Sequence, residues 1–161
     1  MADSLEKQIE AMLRNGDSKK TIFTRFDSPE NRARLIFFLN NKSLLPRRHK
    51  YMWHNLLLGA MLLAMTLKRL MAIAERGQFD FWLLADFIVP TINFYILREI
   101  FLFHRTGYQF LAILTTLSLF YAQNRSFPDL PVNLVMIGLA SFLYLKLFPA
   151  DEKILPPDEK N

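Results

Sequence analysis

Residues 79–103 form an almost continuous apolar segment that places the strongest constraint on the fold of this chain. A helix of this length can cross a hydrocarbon core of roughly 30 Å. Within it, Pro90 cannot donate a hydrogen bond to the carbonyl of Asp86, so that carbonyl is left free beside a carboxylate. Asn93 follows Asp86 by seven residues, which places all three residues on one helical face. Because such a polar face is costly against lipid, the pattern predicts that it points into a bundle of helices.

Three further apolar segments, each bounded by polar turns, accompany the first. They cover residues 51–74, 108–123 and 130–148. The chain is 52% hydrophobic, and the clustering of its apolar residues favours a membrane protein over a soluble core. The sequence therefore predicts an all-α, polytopic membrane protein in which residues 46–149 form a domain of four transmembrane helices. Residues 150–161 contain prolines and acids, which predicts a disordered acidic tail.

Residues 1–45 are predicted to form a short cytoplasmic helical segment before the first span. Their apolar residues recur at helical spacing in three short stretches. We expect helices over residues 3–14, from about 18 to 26 and from about 28 to 40. Asp17 or Ser18 can cap the second helix, and the sequence Asp27-Ser28-Pro29-Glu30 is typical of the start of the third.

The net charge of +5 is concentrated before the first apolar segment. Residues 1–50 hold 11 Lys and Arg against 6 Asp and Glu, whereas the remaining residues hold 9 of each. Arg47, Arg48 and Lys50 directly precede the first span, and such clusters mark the cytoplasmic side. We therefore expect both termini in the cytoplasm and an integral protein of a bacterial inner membrane. The expected partners are the lipid bilayer and other membrane protein subunits, because no nucleic-acid-binding motif accompanies the basic charge.

A second polar feature lies inside the first span, where Lys68 and Arg69 interrupt the apolar pattern. The loop of residues 75–80 is short, so the first two spans are expected to form an antiparallel hairpin. At roughly 1.5 Å of rise per residue, Lys68 and Asp86 then lie at nearly the same depth. The spacing predicts an ion pair of Asp86 with Lys68 or Arg69, since a lone charge in the membrane is costly. The alternative is that Asp86 exchanges protons in a small transporter.

Residues that could carry chemistry are sparse in the rest of the chain. The absence of cysteine excludes thiolate sites, and no nucleophile motif, HExxH pattern or phosphate-binding glycine loop occurs. His49, His54 and His104 lie near one expected interface, but their spacing matches no haem or metal motif. We therefore expect no enzymatic activity, no cofactor and no metal. The predicted function is that of a non-catalytic accessory, scaffold or assembly subunit of a larger membrane complex. The alternative is a small transporter or channel built around Asp86.

Overall fold

The computed structural model describes the backbone of residues 2–76 and 81–155, and the side chains of residues 5–75, 85–121 and 124–155. The described residues form seven α-helices and no strand, which confirms the all-α prediction. The helices are α1 (Ala2–Arg14), α2 (Lys19–Phe26), α3 (Arg32–Asn41), α4 (Leu45–Arg76), α5 (Phe81–Phe101), α6 (Arg105–Ser118) and α7 (Asp129–Leu147). Short 3-10 helices follow α6 and α7, at Ala122–Arg125 and Ala150–Glu152.

Helices α4 to α7 form an antiparallel four-helix bundle, which is called the bundle below. Helix α4 packs against α5 and α7, and α6 packs against the same two helices, so the four helices close a ring. The direction of packing is shown by Arg47, near the start of α4, which donates to the carbonyl of Lys146 near the end of α7. Eleven buried side chains fill the axis of the bundle: Leu58, Leu62, Ile96, Leu97, Ile100, Tyr108, Leu111, Met136, Ala140, Leu143 and Leu147.

Two glycines allow the helices of the bundle to approach closely. A Cβ atom on Gly107 of α6 would lie 2.9 Å from Cβ of Glu99 and 2.9 Å from the backbone nitrogen of Ile100. A Cβ atom on Gly59 of α4 would lie 2.7 Å from the ring of Phe101. Both contacts are closer than carbon atoms tolerate. At Gly107 the obstructing atoms include backbone, so the packing of α5 against α6 requires glycine there, whereas at Gly59 the ring of Phe101 would have to shift.

Helices α1 to α3 form a separate small core at one end of the bundle and are called the N-terminal subdomain. Its buried apolar residues are Ile9, Leu13, Ile22, Leu35, Leu39 and, from the C-terminal segment, Ile154. The subdomain is joined to the loop between α5 and α6 by two hydrogen bonds. The N–H of Thr106 donates to Oδ1 of Asn41 at 3.0 Å, and the hydroxyl of Ser43 donates to the carbonyl of Phe103 at 3.3 Å.

The N-terminal helices lie where the sequence predicts them, except at the start of α3. Ser18 caps α2 as expected, because its hydroxyl accepts from the N–H of Thr21 at 3.1 Å. The third helix begins at Arg32, later than the Asp27-Ser28-Pro29-Glu30 signal indicates. The reason is that the guanidinium of Arg32 binds both carboxylate oxygens of Asp27, at 2.8 and 3.0 Å. The carboxylate expected to cap the helix is therefore occupied by a side chain.

The C-terminal segment differs from the disorder expected for residues 150–161. Within its described part, residues 150–155, Ile154 is only 8% exposed. The side chain of Asn40 donates to the carbonyl of Ile154 and accepts from its N–H, each at 2.9 Å. Ordering these residues costs conformational entropy. The burial of Ile154 and its two hydrogen bonds with Asn40 offset that cost. Residues 156–161 lie outside the described residues.

Among the described residues, two helices are long and apolar enough to cross a membrane, Leu45–Glu75 and Asp129–Leu147. Their most apolar stretches are only 28% buried, whereas the core helix of a soluble protein is mostly buried. Helix α6 has 14 residues and extends about 21 Å, which is shorter than a hydrocarbon core of roughly 30 Å. Two candidate spans are thus supported, and the four-span topology stays a prediction.

Candidate functional site

The three residues of α5 that the sequence places on one polar face are at least partly buried. Pro90 is buried, Asp86 and Asn93 are half-buried, and the apolar residues between them are largely exposed. The amide of Asn93 donates to the hydroxyl of Thr66 on α4 at 3.0 Å. Thr66 is itself 1% exposed, so this hydrogen bond links α4 to α5 in a position shielded from the surroundings of the bundle.

The structure gives Lys68 a partner other than the expected Asp86. Its ammonium lies 2.5 Å from a carboxylate oxygen of Asp129, the first residue of α7. Arg69 is exposed. Because α4 is antiparallel to both α5 and α7, two acids lie near the depth of Lys68, and the position of α7 in the ring brings Asp129 to it. The pairing of Asp86 with Lys68 or Arg69 stays a prediction.

The basic cluster expected to set the orientation lies inside the first turns of α4, which begins at Leu45, six residues before the predicted span. Arg47 forms an ion pair with Glu152 of the C-terminal segment. Arg48 donates to the carbonyl of Ser43 at 3.0 Å, whereas Lys50 is exposed. Two of the three cations therefore also hold the N-terminal subdomain and the C-terminal segment against the bundle.

Glu99, at the end of α5, is a buried carboxylate that the sequence analysis did not single out. It is 5% exposed and contacts three groups. Its oxygens lie 2.8 Å from Nη1 of Arg98, 2.8 Å from Nδ1 of His104 and 3.1 Å from the hydroxyl of Thr106. These contacts stabilise the turn between α5 and α6. One sequence pattern could have indicated Glu99, namely an acidic residue followed within eight positions by His104, Thr106 and Gly107.

The three histidines do not form one site. His49 and His54 are exposed on α4, whereas His104 is bound to Glu99. Among the side chains that the structure describes, those of residues 5–75, 85–121 and 124–155, no group of three or more His, Asp or Glu is arranged to hold a metal ion. His104 therefore acts as a structural hydrogen-bond donor at the turn between α5 and α6.

We expect the melting temperature of the detergent-solubilised protein to fall as the pH is lowered through the ordinary pKa of histidine. Burial lowers the pKa of His104 below its ordinary value of 6.5, with Lys42 and Arg48 acting in the same direction and Glu99 opposing them. The unfolded chain then binds the proton more readily, so the stability from neutral His104 is present above about pH 6.5 and is lost below it. Thermal melts at several pH values measure this loss. The variant His104→Gln should show a shallower dependence, and an equal dependence would contradict the assignment.

A second buried polar group joins three helices of the bundle. Asn55 of α4 is 1% exposed; its amide donates to the carbonyl of Ile100 on α5 at 3.0 Å. The hydroxyl of Tyr108 on α6, itself fully buried, donates to Oδ1 of Asn55 at 2.5 Å. The hydrogen bonds fix the relative positions of α4, α5 and α6, because each polar atom would otherwise be buried without a partner.

A cleft of about 400 Å³ lies where the N-terminal subdomain, the start of α6 and the end of α7 meet, and is called the junction cleft. It is lined by Lys19, Asn40, Arg105, Tyr144, Leu145, Phe148, Pro149, Ala150, Glu152 and Lys153. Its volume falls in the range of small-molecule sites, roughly 300–1,000 Å³. Residues from four separate parts of the chain form it, which is why no local sequence pattern predicts it.

The charged groups of the junction cleft are held in defined positions. Arg105 donates through Nε and Nη2 to the hydroxyl oxygen of Tyr144, at 3.1 and 2.6 Å. Glu152 is paired with Arg47, and within the described part of the chain its second oxygen is buried without a hydrogen-bond partner. Burial lowers the pKa of Lys19 to about 8, with Arg47 and Arg105 acting in the same direction and Glu152 opposing them. At neutral pH Lys19 is therefore still mostly charged.

Chemically, the junction cleft offers cations held in defined positions and a tyrosine hydroxyl. In comparisons with known proteins, no family, no curated protein and no solved structure matches the chain.

Proposed function

We propose that this chain is an integral membrane protein that acts as a non-catalytic accessory, scaffold or assembly subunit of a larger membrane complex. Its bundle would lie in a bacterial inner membrane as four spans, and the N-terminal subdomain would lie at the cytoplasmic face. The charged residues at the subdomain end of the bundle support this orientation, since Arg47, Arg48 and Arg105 all lie there.

The outer surface of the bundle supports the membrane placement. Large apolar side chains are exposed on all four of its helices, among them Leu57, Met71, Ile88, Ile92, Ile113, Leu117, Val135 and Leu145. Such a continuous apolar exterior is unfavourable in water and favourable in lipid. The same surface can contact the helices of partner subunits within the membrane.

The observation that favours a structural role over transport is the packed axis of the bundle. Leu58, Ile100, Leu143 and Leu147 are each fully buried between the four helices. A channel or an alternating-access transporter needs a polar path or a substrate site near the midplane, whereas most buried side chains in the described part of the axis, among them Leu62, Leu111 and Met136, are apolar. The alternative function, transport built around Asp86, therefore has less support than a structural role.

Four spans with both termini inside predict an alternating pattern of reporter activity. A reporter that is active on only one side of the membrane is fused after residues 77, 106 and 126 and at the C-terminus. We expect these four positions to lie outside, inside, outside and inside, respectively. The physical reason is the charge cluster before residue 51 together with the even number of spans. An outward C-terminus would contradict the four-span topology, and the short α6 would then be the first segment to reconsider.

Site-specific photo-crosslinking in cells tests the subunit role. A photoreactive amino acid replaces Phe37, which is 63% exposed on the N-terminal subdomain, and a matched probe replaces Leu145, which is 66% exposed on the bundle. We expect position 37 to capture one defined protein that also remains bound during purification in mild detergent. A chain that purifies alone, captures no protein and drives proton-coupled flux in liposomes would contradict the proposal, especially if Asp86→Asn abolished that flux.

A further inference from the structure

The junction cleft contains a buried cation that has no direct polar partner. Lys19 is only 6% exposed, and among the described residues it has no hydrogen bond and no ion pair. Its nearest recorded contact is the ring of Phe148, whose centroid lies 5.9 Å from the ammonium, at the outer limit of a cation–π interaction. A buried ammonium is costly unless it is paired, so a partner for Lys19 is expected in the cleft that its side chain lines.

A second cation in the cleft is oriented by the protein itself. The hydroxyl of Tyr144 accepts two hydrogen bonds from Arg105, which hold the guanidinium plane in place. Within the described residues, Nη1 of Arg105 has no hydrogen-bond acceptor, so this edge can bind a ligand. Lys19 and Arg105 are the first residues of α2 and α6, where the helix dipole also favours an anion.

From these contacts we propose that the junction cleft binds a phosphate group. Lys19 would supply a point charge and Arg105 the fork of N–H donors that phosphate oxygens match. Lys153 adds a third cation to the lining. The one carboxylate in the lining is that of Glu152; one of its oxygens is paired with Arg47 and the other is buried without a hydrogen-bond partner among the described residues. The net positive charge of the lining therefore favours an anion over a cation or a neutral ligand.

The apolar part of the cleft favours a phosphate that belongs to a lipid headgroup. Leu145, Phe148 and Pro149 line one side of it, and Leu145 is 66% exposed on the outer surface of α7. An acyl chain leaving the cleft along α7 would remain in contact with apolar side chains. This lipid source rests on the membrane placement proposed above, whereas recognition of the phosphate group does not.

Binding of short-chain lipids to the full chain in a non-ionic detergent tests the proposal. Dioctanoyl phosphatidate carries the phosphate and the acyl chains, dioctanoylglycerol lacks the phosphate, and inorganic phosphate lacks the chains. The test variant is Lys19→Gln, and the matched control is Lys20→Gln, which removes the same charge from an exposed neighbour on the same helix. Affinity is measured by native mass spectrometry and by the shift in melting temperature.

We expect phosphatidate to bind the wild type and Lys20→Gln alike, and Lys19→Gln about tenfold or more weakly. Dioctanoylglycerol should bind none of them specifically. If inorganic phosphate binds more weakly than phosphatidate but shows the same dependence on Lys19, the phosphate belongs to a lipid headgroup. If inorganic phosphate binds as tightly as phosphatidate, the ligand is a soluble phosphate compound. Equal affinity of Lys19→Gln and Lys20→Gln, or equal binding of phosphatidate and dioctanoylglycerol, overturns the proposal.

Folding of the test variant is checked separately, by its helical circular dichroism at the binding temperature. We expect the ligand-free Lys19→Gln protein to melt at or above the temperature of the wild type, because the change removes a buried unpaired charge. A lower melting temperature of the ligand-free variant would contradict the placement of Lys19 as an unsatisfied cation. None of these outcomes alters the reporter pattern above, so failure of phosphate binding can be distinguished from failure of the proposed topology.

Discussion

Replacing Gly107 with alanine is expected to lower the melting temperature of the bundle more than any other glycine-to-alanine change in α4, α6 or α7. The added Cβ would lie 2.9 Å from Cβ of Glu99 and from the backbone nitrogen of Ile100, so α5 and α6 must separate. Overpacking of this kind costs about 1–3 kcal/mol. Part of that cost is offset by the better helix propensity of alanine, about 1 kcal/mol. Thermal unfolding in one detergent measures the net effect.

Two other glycines serve as graded controls for this prediction. Gly138 on α7 has no atom within 4 Å of the new Cβ, so Gly138→Ala should be neutral or slightly stabilising. At Gly59 the obstructing atoms belong to the ring of Phe101, which is 47% exposed and can move, so Gly59→Ala should have an intermediate effect. A Gly107→Ala protein as stable as Gly138→Ala would show that α5 and α6 are not packed as described.

Replacing Asn55 with leucine is the second change expected to have a large effect. The buried hydroxyl of Tyr108 would lose its acceptor, and a buried donor without a partner costs about 1–3 kcal/mol. The carbonyl of Ile100 would still accept from the N–H of Phe103 at 2.9 Å, so it would remain satisfied. We expect lower thermal stability and lower abundance of Asn55→Leu in the membrane.

The double variant Asn55→Leu/Tyr108→Phe separates the lost hydrogen bond from a change in packing. Removing the hydroxyl of Tyr108 eliminates the group that Asn55→Leu leaves unsatisfied, so the double variant should recover much of the lost stability. Purely additive effects of the two substitutions would contradict the hydrogen-bonded network. Stability is measured for both single variants and the double variant in the same detergent.

Helical structure and its approximate boundaries could be read from the sequence because they depend on local patterns. Apolar spacing placed α1 and α2 within a few residues, and Ser18 caps α2 as the pattern indicates. The start of α3 was misplaced because Asp27 binds the side chain of Arg32 and does not cap the helix. The spacing of residues does not decide which of these two partners the carboxylate takes. The C-terminal segment was misjudged for a similar reason, since Asn40 binds Ile154 across 114 positions of the chain.

The choice of partners for charged and polar groups was decided only by the tertiary structure. Lys68 could reach an acid on either neighbouring helix, and the ring order of α4 to α7 places Asp129 beside it. The junction cleft has the same origin, because Lys19, Arg105 and Tyr144 lie far apart in the chain and meet where two cores join. Periodicity determines which face of a helix is apolar, whereas the identity of the group across from that face depends on how the helices are arranged.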